Sequence, residues 1–186
     1  MSEIVRKARD FAKQAHAAID QRRKYTGEPY IVHPAAVAKL VGGVTDDVAM
    51  VAAAWLHDVV EDTDVTLADI EEHFGPDIAT LVADLTDVSK KEDGNRKIRK
   101  AIDREHTSNA SPRAKTVKLA DLIDNSRTIT EFDPRFAKVY MREKRALLEV
   151  LKEGDATLFA IATEIIDDYY AGEHVREQRE KESLGT

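Results

Sequence analysis

The chain contains 186 residues, of which 42% are hydrophobic and 34% charged, a balance typical of a globular domain and not of a disordered chain. Its net charge of −7 argues against a protein that coats DNA or RNA through its overall field, although a local Lys and Arg cluster could hold a small anion. The absence of cysteine excludes disulfides and thiolate metal sites, and no apolar run is long enough to span a bilayer, so we expect a cytoplasmic protein without a membrane partner.

Helical periodicity dominates the N-terminal part of the chain. Apolar residues recur at steps of three and four over residues 4–19 and predict a first helix. The Gly- and Pro-containing loop "KYTGEPYIVHP" follows, and Pro34 suits the first position of a second helix that ends near residue 41. Thr45 is predicted to cap a long, alanine-rich helix that reaches Val60.

Capping signals mark most of the later helices. Thr66 and Asp69 have the spacing of a capping box, and Gly75 is a suitable helix stop. Prolines that follow Ser111 and Asp133 indicate two further helix starts. The later predicted helices begin at about residues 66, 76, 112, 134 and 155, and the last ends near residue 170. The charged segment 88–106 is predicted to be a loop followed by an exposed helix.

The C-terminal segment differs from the rest of the chain. Residues 173–186 have almost no apolar face, and we expect a polar, flexible tail. No strand-like alternation and no internal repeat occurs in the sequence. The sequence therefore predicts an all-α, single-domain helical bundle over residues 1–172.

One short segment, "AAAWLHDVVEDT", places an imidazole and three carboxylates at the end of an otherwise apolar helix. If this helix is continuous, His57 stacks on Glu61 and Asp58 stacks on Asp62. Carboxylates this close repel one another, and burying them without a counter-charge is costly. The segment is therefore either a solvated helix end or part of a divalent-cation site.

Two residues elsewhere in the chain favour the cation site. His33 stands at the entry to the second predicted helix, and Asp121 is an acid within a largely apolar helix. With His57 and Asp58 they give the pattern H…HD…D. Two imidazoles and two carboxylates suit a divalent ion such as Mn²⁺, Fe²⁺ or Zn²⁺.

The strings "RRKYTGEPYIVHP", "AAWLHDVVEDT" and "VKLADLIDNSRTI" occur in this order along the chain. With H…HD…D they resemble the HD metal-dependent phosphohydrolase superfamily, and more closely the hydrolase domain of the RelA/SpoT-type alarmone enzymes. The resemblance extends from about residue 5 to about residue 170. Because no synthetase segment follows in this sequence, we expect a stand-alone small alarmone hydrolase.

The resemblance implies an HD-type bundle that binds one Mn²⁺ per chain through His33, His57, Asp58 and Asp121. The implied reaction is hydrolysis of the 3′-diphosphate ester of (p)ppGpp or a related nucleotide. It releases pyrophosphate together with GDP or GTP.

The same matching assigns roles to further residues. Glu61 and Asp62 match the acidic pair that orients and activates the attacking water. Side chains that match nucleotide contacts are Arg23, Lys24, Asn125 and Thr128.

For several other residues the sequence leaves a structural and a functional role open or favours a structural one. Tyr25 stands in the loop and could contact the base. Lys97 belongs to a basic cluster that either lines a phosphate channel or covers a solvated surface helix. Tyr30 is expected to pack in the core and His16 to be surface or structural. Lys118 stands close to Asp121 in sequence, but it could instead extend to the surface.

Some positions depart from the family pattern. Leu122 follows Asp121 where a basic residue is common, and Asp124 stands where His or Tyr is common. These positions lie near the base and phosphate pocket, so guanine and adenine alarmones both stay open, and a (p)ppApp-preferring hydrolase is an alternative. A 5′-nucleotidase of the HD type and a non-catalytic alarmone-binding module are further alternatives. Monomer and homodimer also stay open.

Overall fold

The computed structural model describes the backbone of residues 1–184 and the side chains of residues 1–175. Apart from an isolated bridge between Arg22 and Pro29 and a 3₁₀ turn at Lys91–Asp93, the regular elements of this part are α-helices. They are α1 (Glu3–Ala18), α2 (Val32–Gly42), α3 (Val48–Leu56), α4 (Val59–Asp62), α5 (Leu67–Phe74), α6 (Pro76–Leu85), α7 (Arg96–Ser108), α8 (Pro112–Phe132), α9 (Pro134–Leu148) and α10 (Ala156–Leu184). The predicted all-α, single-domain fold is confirmed.

Two helices lie at the centre of the bundle. Helix α3 packs against α1, α2, α6 and α8, while α8 also contacts α2, α6, α9 and α10. Helices with neighbours on several sides need apolar residues on several faces, and both meet this requirement. Six of the nine residues of α3 are buried, and so are ten residues of α8. An acid such as Asp121 in α8 is therefore placed inside the protein.

Most of the predicted helix starts agree with the structure. Thr66 and Asp69 form a capping box at the start of α5. Ser111 accepts a hydrogen bond from the Ala114 backbone N–H at the start of α8, and a proline occupies the first turn of α6, α8 and α9.

The prediction that Thr45 caps a long helix is wrong in two respects. Helix α3 begins at Val48, because the Asp47 carboxylate accepts from the backbone N–H groups of Ala49 and Met50. Thr45 instead accepts from the Asp47 N–H in the preceding turn.

The long helix is also interrupted before Val60. A turn at residues 57 and 58 separates α3 from α4. In a continuous helix the carbonyl of Ala54 would pair with the N–H of Asp58, but the His57 ring N–H competes for that oxygen at 2.8 Å. The simple stacking of His57 on Glu61 and of Asp58 on Asp62 therefore does not apply.

The last helix is longer than its sequence pattern predicts. Helix α10 extends to Leu184, well beyond the predicted end near residue 170. The expected flexibility of residues 173–186 stays a prediction, and the side chains of residues 176–186 lie outside the described part. Within residues 1–184, no helix combines the length and the apolar character needed to cross a bilayer.

Candidate metal centre and active site

The four predicted metal ligands meet in the interior. His33 lies in the first turn of α2, His57 and Asp58 lie in the turn between α3 and α4, and Asp121 lies in α8. His33 Nε2 is 3.2 Å from both His57 Nε2 and Asp121 Oδ1, and 3.5 Å from Asp58 Oδ2. His57 Nε2 is 3.0 Å from Asp58 Oδ2 and 3.8 Å from Asp121 Oδ1. Residues far apart in sequence thus direct two nitrogens and two carboxylate oxygens to one point.

The histidine tautomers suit a cation at this point. The Nδ1 of His57 donates to the Ala54 carbonyl, and the Nδ1 of His33 donates to Asp124 Oδ2 at 2.6 Å. With each Nδ1 protonated, a neutral imidazole presents a lone pair at Nε2. Both Nε2 atoms face each other in a buried space, and one proton at most can lie between them. His33, His57 and Asp58 each place one ligand atom within 4.8 Å of the other two, and these three donors fit a divalent metal ion. Asp121 Oδ1 adjoins them, at 3.2 Å and 3.8 Å from the two Nε2 atoms.

Electrostatic coupling keeps the two aspartates ionised. Burial raises the pKa of each carboxyl, but His57 outweighs this effect at Asp58, and His33 and Lys118 outweigh it at Asp121. The pKa of both carboxyls therefore lies below its ordinary value. At His33, burial lowers the pKa, but hydrogen bonds to Asp121 and Asp124 raise it to about 9 overall, so without a cation Nε2 also carries a proton, which a bound cation would replace.

Two polar side chains hold the aspartates in place. The Tyr30 hydroxyl donates to Asp58 Oδ2 at 2.6 Å, and Asn125 Nδ2 donates to Asp121 Oδ1 at 2.6 Å. The sequence analysis expected Tyr30 to pack in the core and did not predict its hydrogen bond to Asp58. Its position three residues before His33, in the first turn leading into α2, is the sequence signal that could have revealed it.

The acidic pair lies on α4, directly after the two ligands in the turn. Glu61 Oε1 accepts from the Asp87 backbone N–H at 2.6 Å, and Asp62 Oδ2 accepts from Gln21 Nε2 at 2.8 Å. Both side chains reach solvent, yet desolvation by the protein atoms around them raises the pKa of Glu61 to about 7 and also raises the pKa of Asp62. Both carboxyls can therefore exchange a proton closer to neutral pH than an ordinary acid.

Gln21 is a further residue that the sequence did not single out. Its amide oxygen lies 2.7 Å from Nδ1 of His16, and its amide nitrogen donates to Asp62. His16 is 2% exposed and belongs to the interior of α1, in line with a structural role.

Three of the predicted nucleotide contacts form one cluster. Arg23 donates to Asn125 Oδ1 at 3.1 Å and to Thr128 Oγ1 at 3.1 Å. Its guanidinium also lies 3.4 Å from Asp124 Oδ2. The cluster adjoins the metal ligands, because Asn125 contacts Asp121 and Asp124 contacts His33.

Lys24 and Tyr25 follow Arg23 in the same loop and contact residues at the junction between α8 and α9. The Tyr25 hydroxyl donates to Asp133 at the start of α9, and its ring is nearly parallel to Phe132 at a centroid distance of 6.3 Å. Lys24 is 72% exposed, with Nζ 3.5 Å from Asp133. These contacts attach the loop to the junction between α8 and α9.

A cavity of about 740 Å³ lies beside this centre, lined by α7, α8 and α9. Seven cations and three carboxylates line it, an excess of four positive charges in a chain whose net charge is negative. The cations are Arg96, Lys97, Lys100, Arg104, Lys118, Arg142 and Lys144. Lys97 thus lies in the basic cavity, apart from the Arg23 cluster, and such a cavity suits an anionic ligand.

Lys118 connects the cavity to the metal centre. Its Nζ lies 3.8 Å from Asp121 Oδ2 and donates to the Leu85 carbonyl at 3.2 Å. The side chain is 14% exposed, so of the two alternatives for Lys118, a position close to Asp121 and an extension to the surface, the structure has the first. Its charge is retained inside the protein because Asp121, Asp87 and Glu61 surround it, and they raise its pKa despite burial.

Comparison with known proteins shows the family to which this fold belongs. The profile of the HD domain family matches residues 8–151. A Xenopus tropicalis protein named guanosine-3′,5′-bis(diphosphate) 3′-pyrophosphohydrolase MESH1 is 41% identical over 138 residues, which cover 70% of this chain and 72% of that protein. A solved structure titled "A metazoan ortholog of SpoT hydrolyzes ppGpp and plays a role in starvation responses" superposes with a TM-score of 0.81 and 31% identity, and the match covers 91% of this chain and 97% of that chain.

Longer relatives contain the same region as one part. A Synechocystis protein named as a probable guanosine-3′,5′-bis(diphosphate) 3′-pyrophosphohydrolase is 39% identical over 144 residues, which cover 76% of this chain but 19% of that protein. The stretch that the family profile matches, residues 8–151, contains all four candidate metal ligands of this chain. The chain therefore belongs to the HD domain family, and within it to the group of proteins similar to the RelA/SpoT-type pyrophosphohydrolases.

Proposed function

We propose that the chain is a guanosine-3′,5′-bis(diphosphate) 3′-pyrophosphohydrolase. It hydrolyses the 3′-diphosphate of (p)ppGpp-like alarmones and releases pyrophosphate with GDP or GTP. The observation that carries this proposal is the convergence of His33, His57, Asp58 and Asp121 beside a cavity rich in Lys and Arg. The named activities of the similar Xenopus and metazoan proteins support the same reaction.

The proposed cofactor is one Mn²⁺ per chain, held by His33, His57, Asp58 and Asp121. A divalent cation in such a site supplies Lewis acidity, which lowers the pKa of water and offsets phosphate charge. Tyr30 and Asn125 support this role, because each donates to a carboxylate oxygen of a ligand and restricts its orientation.

Glu61 and Asp62 are the proposed acid–base pair. A carboxyl whose pKa lies near the working pH can accept a proton from water and release it again, and Glu61 has a pKa of about 7. The Asp87 N–H and the Gln21 amide each hold one oxygen of a carboxylate, so both side chains have restricted geometry. We assign them the positioning and deprotonation of the attacking water.

The remaining predicted residues are assigned to the nucleotide. Arg23, Asn125 and Thr128 offer donors and acceptors beside the metal ligands, and Lys24 and Tyr25 border the same loop. Lys97 and the other cavity cations would neutralise phosphate groups. Guanine and adenine alarmones both stay open as substrates, while the cytoplasmic location and the absence of a nucleic-acid polymer among the ligands stay predictions from the sequence.

A product assay tests this function. Purified protein with Mn²⁺ is incubated with ppGpp, pppGpp, ppApp and simple nucleoside monophosphates, and the phosphorus products are separated. We expect intact pyrophosphate from the 3′-diphosphates, with activity lost in Asp58→Ala and Asp121→Ala. Orthophosphate release from monophosphates would indicate a nucleotidase, and binding without turnover would indicate a sensor.

A further inference from the structure

Asp124 links the metal centre to the loop that contains Arg23. It lies on α8 one turn beyond Asp121, and its Oδ2 atom accepts from His33 Nδ1 at 2.6 Å. The same oxygen lies 3.4 Å from the Arg23 guanidinium. Asp124 thus contacts a candidate metal ligand from the side opposite to the metal.

The two candidate histidine ligands differ in this partner. Behind His57, Nδ1 donates to a neutral backbone carbonyl, that of Ala54. Behind His33, Nδ1 donates to a carboxylate, and the imidazole itself is fully buried. A carboxylate in this position fixes the Nδ1–H tautomer and increases the electron density at Nε2, which strengthens the bond from Nε2 to a cation. A backbone carbonyl fixes the tautomer but adds no full negative charge.

The surroundings hold Asp124 in this orientation. Arg23 approaches Asp124 while also donating to Asn125 and Thr128, which lie on the same helix. Asn125 in turn donates to Asp121. The Asp124 carboxylate is therefore fixed between a cation and an imidazole, and it has little freedom to leave His33.

We propose that Asp124 is a positioning residue that orients His33 and increases the affinity of the centre for its divalent cation. The inference rests on the metal site in the proposed function, and it adds a residue that the ligand set and the nucleotide contacts do not include. It assigns different tasks to the two histidines: His33 is the more basic nitrogen ligand, and His57 is the less basic one.

The test uses the full chain and Mn²⁺ alone, without nucleotide. The dissociation constant for Mn²⁺ is measured by calorimetry for the parent and for Asp124→Asn, which keeps the shape and an acceptor oxygen but removes the charge. We expect binding about 10- to 100-fold weaker, the usual loss for a partner of this kind. Asp168→Asn, an exposed position on α10, removes the same charge elsewhere and is expected to bind as the parent does.

A second measurement uses only the parent protein, so it tests the proposal even if Asp124→Asn does not fold. The nitrogen-15 spectrum of the metal-free parent, recorded above about pH 9 so that the His33 imidazole is neutral, reports the tautomer of His33 directly, and we expect the proton on Nδ1. Parent-like Mn²⁺ affinity in Asp124→Asn, or a His33 proton on Nε2 in the parent, would overturn the role of Asp124 alone. A parent that binds no Mn²⁺ would overturn this role and the proposed metal site together.

Discussion

At the scale of single residues, the candidate site consists of ionisable groups whose neighbours fix their charge. Asp58 and Asp121 stay ionised despite burial, because His57, His33 and Lys118 are close to them. At Glu61, desolvation by the surrounding protein outweighs the Lys118 charge and the Asp87 N–H, which both favour the carboxylate, so its pKa rises to about 7. The site therefore separates groups suited to hold a cation from a group suited to exchange a proton.

Replacing Glu61 by Gln tests the second role. The amide cannot accept a proton from water, and we expect kcat to fall by about 100-fold, while the Mn²⁺ dissociation constant stays close to that of the parent. Steady-state kinetics and calorimetry measure the two quantities. Glu72→Gln, on the exposed face of α5, is the matched control and should retain parent kinetics. A Glu61→Gln protein that turns over at the parent rate would refute the assignment.

The pKa of Glu61 also predicts a pH dependence. Only the ionised carboxylate can take a proton from water, so kcat at saturating Mn²⁺ should increase as pH rises through about 7 and then level off. The residual activity of Glu61→Gln should lack this rise. A rise that persists unchanged in the variant would belong to another group, such as a substrate phosphate.

At the scale of helices, the turn between α3 and α4 determines how the site is assembled. It allows His57 and Asp58, which are adjacent in sequence, to direct side chains to the same point. The apolar character of α3 and the acids that follow it could be predicted from the sequence. The interruption between α3 and α4 could not, because it depends on a contact between the His57 side chain and the Ala54 carbonyl. Capping boxes and helix-initiating prolines were predictable because their partners lie within a few residues.

The connection between α9 and α10 packs unusually close to α8. A Cβ atom at Gly154 would lie 2.7 Å from Leu119 Cδ1 and 3.1 Å from the backbone of Lys115 and Thr116. We expect Gly154→Ala to reduce the free energy of unfolding by about 1–3 kcal/mol through overpacking, as measured by denaturant unfolding.

Gly172 provides the matched control for this substitution. It lies in α10, and a Cβ atom there would have no neighbour within 4 Å. Alanine at this position is expected to leave the free energy of unfolding unchanged or to raise it by about 0.5–1 kcal/mol. Equal effects at Gly154 and Gly172 would contradict the close approach to α8.

At the scale of the whole molecule, the local charge around the candidate site differs in sign from the net charge of the chain. The net charge of −7 coexists with a basic cavity next to the acidic metal centre. The sequence indicated a basic cluster at residues 96–100, but it did not indicate that Lys118, Arg142 and Lys144 join it, because these residues lie on two other helices. Contacts such as His33 with Asp124, 91 residues apart, are likewise a product of packing.

The basic cavity predicts a salt dependence of catalysis. An anionic nucleotide attracted by an excess of positive charge should bind less tightly as screening increases, so we expect KM to rise several-fold between about 0.05 and 0.5 M NaCl, with a smaller change in kcat. Lys97→Gln should show a higher KM at low salt and a shallower salt dependence. A KM that does not change with ionic strength would show that the cavity does not bind the phosphates.

The most direct test of the metal centre is a crystal structure of the protein grown with Mn²⁺, with an anomalous difference map recorded at the manganese edge. One strong peak per chain is expected within bonding distance of His33 Nε2, His57 Nε2 and carboxylate oxygens of Asp58 and Asp121. A map without a peak among these four side chains, or with His33 or Asp121 turned away from the ion, would contradict the account.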